Sequence, residues 1–106
     1  MTSHLFGPEQ YDFRRHPEVL EIIDNALQNV RNSILTKREV QILSMMLRGH
    51  SNISISLILN ITEGTVKIHR KNSYRKLEIS SQIELFLLIL DFTVRMPGAT
   101  PEPLAA

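Results

Sequence analysis

Apolar residues recur at helical spacing over most of the chain. From Pro17 onward, Val19, Leu20, Ile22, Ile23, Ala26, Leu27 and Val30 follow i, i+3, i+4, i+7 steps. That spacing predicts an amphipathic helix with Pro in its first turn, ended by Asn32 and Ser33. In the next stretch Thr36 can cap a second helix, and Glu39, three residues on, can reach back to complete a capping box. Val40, Leu43, Met46 and Leu47 give this helix its buried stripe, and Gly49 stops it. The segment SNISISLILNI is ambiguous, because Ile53, Ile55, Leu57, Leu59 and Ile61 alternate as a strand would. A lone strand, however, would have no ladder partner among helices. Ser51 is a good N-cap, and Ile55, Ile58 and Leu59 stand at helical spacing, so a short third helix is expected.

Thr62 caps the fourth pattern, with Glu63 favourable at the positive end of the helix. A rotation of about 100° per residue puts Val66, Ser73 and Leu77 on one side and Lys67, Ile68, Lys71 and Arg75 on the other. Ser80 or Ser81 then caps a last helix that runs to about Arg95. On its wheel Ile83, Phe86, Leu87, Leu90 and Val94 share one face, and Leu85, Leu88, Ile89 and Phe92 nearly the opposite one. A small domain can bury only one such face against itself. The second needs a symmetry mate or the N-terminal helix folded over it, and the two options are compatible. The expected outward, dimer-forming face is Leu85, Leu88, Ile89 and Phe92. The predicted organisation is an N-terminal segment with one amphipathic helix (1–33), an all-α helix-turn-helix unit (34–95) and a Pro- and Ala-rich disordered tail (96–106).

Charge changes this picture more than composition does. With 106 residues and 42% hydrophobic content, the chain makes one small domain. Its formal net charge of +1 hides a segregation, since Lys37, Arg38, Arg48, Lys67, Arg70, Lys71, Arg75 and Lys76 face only Glu39 and Glu63 between Thr36 and Leu77. That middle region can present a positive field to a polyanion. The fourth helix carries most of it, without i, i+4 acids expected to offset its cations. Asn72 and Ile68 stand among the cations, and these are groups that can read an adenine edge and a thymine methyl. Lys or Arg can read guanine, while cations at the rim hold phosphates. A helix, a tight turn and a basic second helix is the helix-turn-helix arrangement.

Other chemistries find little support. The chain has no cysteine, which excludes a disulfide framework, a thiolate metal site and a cysteine nucleophile. His4, His16, His50 and His69 lack partners at ligand spacing, so no metal or other cofactor is expected. No phosphate loop, carboxylate pair or nucleophile with its base suggests an enzyme. The longest apolar run, Leu85 to Leu90, falls far below the roughly 18 residues of a membrane span, and a cytoplasmic protein without membrane contact is expected.

The stretches LTKREVQILSMMLRGHSN and LNITEGTVKIHRKNSYRKLEIS resemble the DNA-binding domain of LuxR/GerE-type regulators. Thr36, Arg38, Glu39, Leu43, Gly49, Ser51, Asn52, Ile55, Leu59, Ile61, Thr65, Val66, Lys67, His69, Lys76 and Leu77 all stand at the family's spacing. The resemblance implies a four-helix bundle whose third helix enters the major groove of double-stranded DNA and whose fourth contributes to a homodimer. By position it puts Lys67, Ile68 and Lys71 against bases, and Thr65, Arg70, Arg75 and Lys76 near the DNA backbone. RNA polymerase or a full-length regulator of the same type are the further partners it implies. Departures are Ile53 and Ser54 where Lys-Glu is usual, Ser73 in place of an apolar plug, and Glu78 where Gly is common. The residues before Leu35 have room for one helix, and no receiver or acyl-homoserine-lactone domain is expected there. A second class of function stays open: an interaction module that keeps the fold and pairs with a full-length regulator to modulate it.

Overall fold

A computed structural model of the chain describes residues 15–96. Among them are five α-helices, α1 (Pro17–Asn29), α2 (Lys37–Leu47), α3 (Asn52–Leu59), α4 (Glu63–Leu77) and α5 (Gln82–Arg95), and a short 3-10 turn at Val30–Ser33. The expected tail lies, beyond Met96, outside the described residues. The all-α expectation holds, and the strand-like alternation before Asn60 is helical.

The boundaries follow local chemistry. Pro17 opens α1, since a missing N–H does no harm in a first turn. Thr36 Oγ1 accepts from the Glu39 amide while Glu39 Oε1 accepts from the Thr36 amide, which completes the capping box of α2. Ser51, Thr62 and Ser81 cap α3, α4 and α5 in the same way, each hydroxyl accepting from the amide three residues on. The ends are set by left-handed residues. Gly49 (φ 103) follows α2 at little strain, Asn60 (φ 57) closes α3, and Glu78 (φ 60) closes α4 where a side chain is less welcome.

The core gathers one stripe from each helix: Ala26 and Leu27 from α1, Ile42, Leu43 and Met46 from α2, Ile55 from α3, Val66 and Leu77 from α4, and Leu85 and Ile89 from α5. Helix α1 packs on both α2 and α5. A polar tie adds to this contact, because Asp24 accepts from Ser44 Oγ at 2.6 Å and from Arg48 Nη2 at 2.9 Å.

The two faces of α5 are the reverse of the sequence expectation. Leu85 is 0% and Ile89 5% exposed, and Leu88 and Phe92 pack half-buried against the same core. These four residues therefore lie inside the chain, and the outward apolar face is Ile83, Phe86, Leu87, Leu90 and Val94. Periodicity separates two apolar faces but does not say which turns inward. The turn at Glu78 and the cover supplied by α1 decide that.

Candidate nucleic-acid interface

Helix α4 carries the candidate site. It buries only Val66, Ser73 and Leu77, which fixes its rotation and turns Lys67, Ile68, Lys71 and Arg75 outward together. Ile68 is 60% exposed, an apolar side chain held in the open between cations. Lys71 and Arg75 make no ion pair among the described residues. Lys67 lies 3.8 Å from Glu63, so the basic face has one i, i+4 acid after all; both side chains remain well exposed, and the attraction between them is weak. Along the flank of the helix, Lys67, Arg70, Lys71, Tyr74, Arg75, Ile79 and Ser80 line a shallow open groove.

The remaining predicted residues occupy the margins. Thr65 is half-buried, its hydroxyl 2.9 Å from that of the cap Thr62, and Asn72 is half-buried at the edge of the exposed face. Two expected backbone contacts are engaged within the protein instead. Arg70 Nη1 donates to Asn52 Oδ1 at 2.8 Å, bridging α4 to α3. Lys76 Nζ donates to Glu39 Oε1 at 2.8 Å, tying the end of α4 to the start of α2.

Glu39 Oε1 thus accepts from two groups, the Thr36 amide at the α2 N-terminus and Lys76 Nζ. Glu39 is only 3% exposed. Burial pushes its pKa up, but the hydrogen bonds from Lys76 and from the Thr36 amide, with the Lys76 charge, outweigh that and leave it below the ordinary value. Ser73 is fully buried, and its hydroxyl donates to the His69 carbonyl at 2.7 Å, so the polar atom in the core is satisfied within its own helix.

Sequence reasoning did not single out Asn52 as a partner of Arg70, because nothing in local spacing links residues 18 apart. It did not foresee the outward strip on α3 either, where Ile53, Leu57 and Ile58 are all exposed. The signal was available there: α3 has no charged residue to occupy its outer face.

The chain is similar in sequence to bacterial regulators. The chain is 39% identical over 75 residues to an HTH-type transcriptional regulator in the exeN 3′ region of Aeromonas salmonicida, covering 71% of this chain and 38% of that protein. It is 43% identical over 58 residues to the nitrate/nitrite response regulator protein NarP of Escherichia coli, covering 55% of this chain and 27% of the relative. It is likewise 43% identical over 56 residues to the transcriptional activator protein CarR of Pectobacterium carotovorum, covering 53% and 23%. The chain therefore corresponds to well under half the length of these relatives. No solved structure gives a significant match. The family model for bacterial regulatory proteins of the luxR family, GerE, matches residues 33–89, which is more than half of the sequence. With its capped helix-turn-helix and its exposed basic α4, the chain belongs to the luxR family of bacterial regulatory proteins.

Proposed function

We propose that this chain is a cytoplasmic, sequence-specific transcriptional regulator that lays α4 in the major groove of duplex DNA. The observation that carries this reading is the outward row of Lys67, Ile68, Lys71 and Arg75 on a helix whose opposite side is locked into the core. Lys67, Ile68 and Lys71 are the base-reading candidates, with Asn72 at the edge; Arg75 and Thr65 are the backbone contacts. Named relatives described as transcriptional regulators and activators support the same role. No helix among the described residues is long and apolar enough to cross a membrane.

Dimerisation belongs to this proposal, through Ile83, Phe86, Leu87, Leu90 and Val94 rather than the inner face of α5. A symmetric pair places two α4 helices for half-sites about one helical turn apart. The test is equilibrium binding of duplexes selected from a random pool, measured across salt concentration. With about three phosphates neutralised per subunit, log K against log salt should slope near −5 for a dimer. A slope shallower than about −2 removes the DNA reading. Leu87→Glu should give a folded monomer with weakened binding; an unchanged sedimentation coefficient in wild type and variant removes this face as the dimer surface.

The exposed strip Ile53, Leu57 and Ile58 favours the second reading, an interaction module that docks on another regulator. Tight, steeply salt-dependent binding to a selected duplex would decide for DNA.

A further inference from the structure

Arg70 stands on the flank of α4, beside the core and away from the centre of the outward basic row. Its Nη1 donates to Asn52 Oδ1 at the first residue of α3, at 2.8 Å. Its guanidinium carbon lies 5.8 Å from the centroid of the Tyr74 ring, within cation–π range. The Tyr74 hydroxyl in turn faces Met46 Sδ of α2 at 3.9 Å. Arg70 Nε is buried with no partner. A buried N–H without an acceptor costs free energy, so the stabilising contacts of this side chain are those of Nη1 and of the guanidinium face.

The packing of α4 gives this bracket a task. One of the three buried positions on α4 is Ser73, whose hydroxyl turns back to its own helix. Fully buried apolar anchorage therefore comes from Val66 and Leu77, one near each end of the helix, and Tyr74 packs partly buried against the core between them. The middle of the helix is steadied from its flank, where Arg70 joins it to α3 and Tyr74 joins it to α2. A phosphate contact by Nη1 would compete with the bond to Asn52 that joins α4 to α3.

We propose that Arg70 is a positioning residue, which sets the angle of α4 against α3 through Asn52 and against α2 through Tyr74, and does not itself contact DNA. The inference rests on the DNA-binding reading above. A lysine at this position would keep the charge but lose the planar fork and the stack. The proposed role and a phosphate contact therefore respond differently to the same substitutions.

The experiment measures binding of the full chain to its best duplex from a random-sequence pool, by fluorescence anisotropy over a series of salt concentrations. Arg70→Lys and Asn52→Ala should each weaken binding on the order of tenfold, the effect of losing one hydrogen bond to a charged group. The double variant should be no weaker than the weaker single one, because both remove the same bond. Arg70→Ala should weaken binding while leaving the salt slope at its wild-type value, since no phosphate contact is lost. A slope shallower by about 0.9 per subunit in Arg70→Ala overturns the proposal. So does wild-type affinity in Arg70→Lys or in Asn52→Ala, and these two variants decide the matter alone if Arg70→Ala does not fold. A wild-type chain that binds no duplex at low salt overturns the DNA reading and this proposal together. That outcome is distinct from tight wild-type binding with an altered slope in the variant.

Discussion

Helix α3 contains no charged residue, whereas α4 carries Lys67, Arg70, Lys71, Arg75 and Lys76 beside Glu63. The more apolar of the two would be expected to sit deeper. Yet Ile53, Leu57 and Ile58 of α3 all point outward, and only Ile55 and Ser56 are buried. The charged α4 buries Val66, Ser73 and Leu77 and adds two polar ties, Arg70 to Asn52 and Lys76 to Glu39. Anchorage here is a matter of which positions face the core. Mean hydropathy ranks these two helices the wrong way round.

The largest expected effect contrasts two leucines. Leu77→Ala should destabilise the fold by about 3 kcal/mol, because it empties a fully buried site. Leu57→Ala, at a side chain 76% exposed, should change stability by less than about 0.5 kcal/mol. Denaturant midpoints measure both, and similar losses would break the comparison.

Next in size is the polar tie at the end of α4. Lys76→Ala should destabilise by about 2 kcal/mol at neutral pH, since it leaves the buried Glu39 carboxylate without its charged donor. The folded pKa of Glu39 lies below 4.5, so the stability it contributes is complete above that value and is lost as pH falls through the lower, folded one. Without Lys76, burial is opposed by fewer bonds and the folded pKa rises. Acid destabilisation of the variant should then begin at higher pH than in the wild type. Urea unfolding from neutral to acid pH would show this, and superimposed pH profiles would remove the tie from the account.

The smallest effect compares the two helix ends. Both α3 and α4 close on a left-handed residue, but Asn60 tolerates that conformation through its short polar side chain and Glu78 does not. Glu78→Gly should therefore stabilise by about 1 kcal/mol, whereas Asn60→Gly should be close to neutral. Equal shifts in thermal midpoint would mean that the backbone at Glu78 is held by contacts other than its own dihedral preference.

Much of this was legible in the sequence because helix ends are local events. Pro17 marks a start by its own ring, and Thr36 with Glu39, Ser51, Thr62 and Ser81 mark starts that depend on residues three apart. Ser73 was placed in the core by rotation about α4 alone, and the structure buries it fully. The Lys67–Glu63 pair was equally local and was overlooked. What spacing could not reach is the long-range part: the rotation of α5, which has two apolar faces, and the bonds of Arg70 and Lys76, whose partners lie 18 and 37 residues away.

The position of Glu39 also bears on cooperativity. One carboxylate serves the opening turn of α2 and, through Lys76, the closing turn of α4, so neither end can fray without loosening the other. Helix termini are usually the first parts of a fold to open, each by itself. Here two of them share a single latch, and native-state hydrogen exchange should find the amide of Glu39 and that of Glu78 opening as one unit.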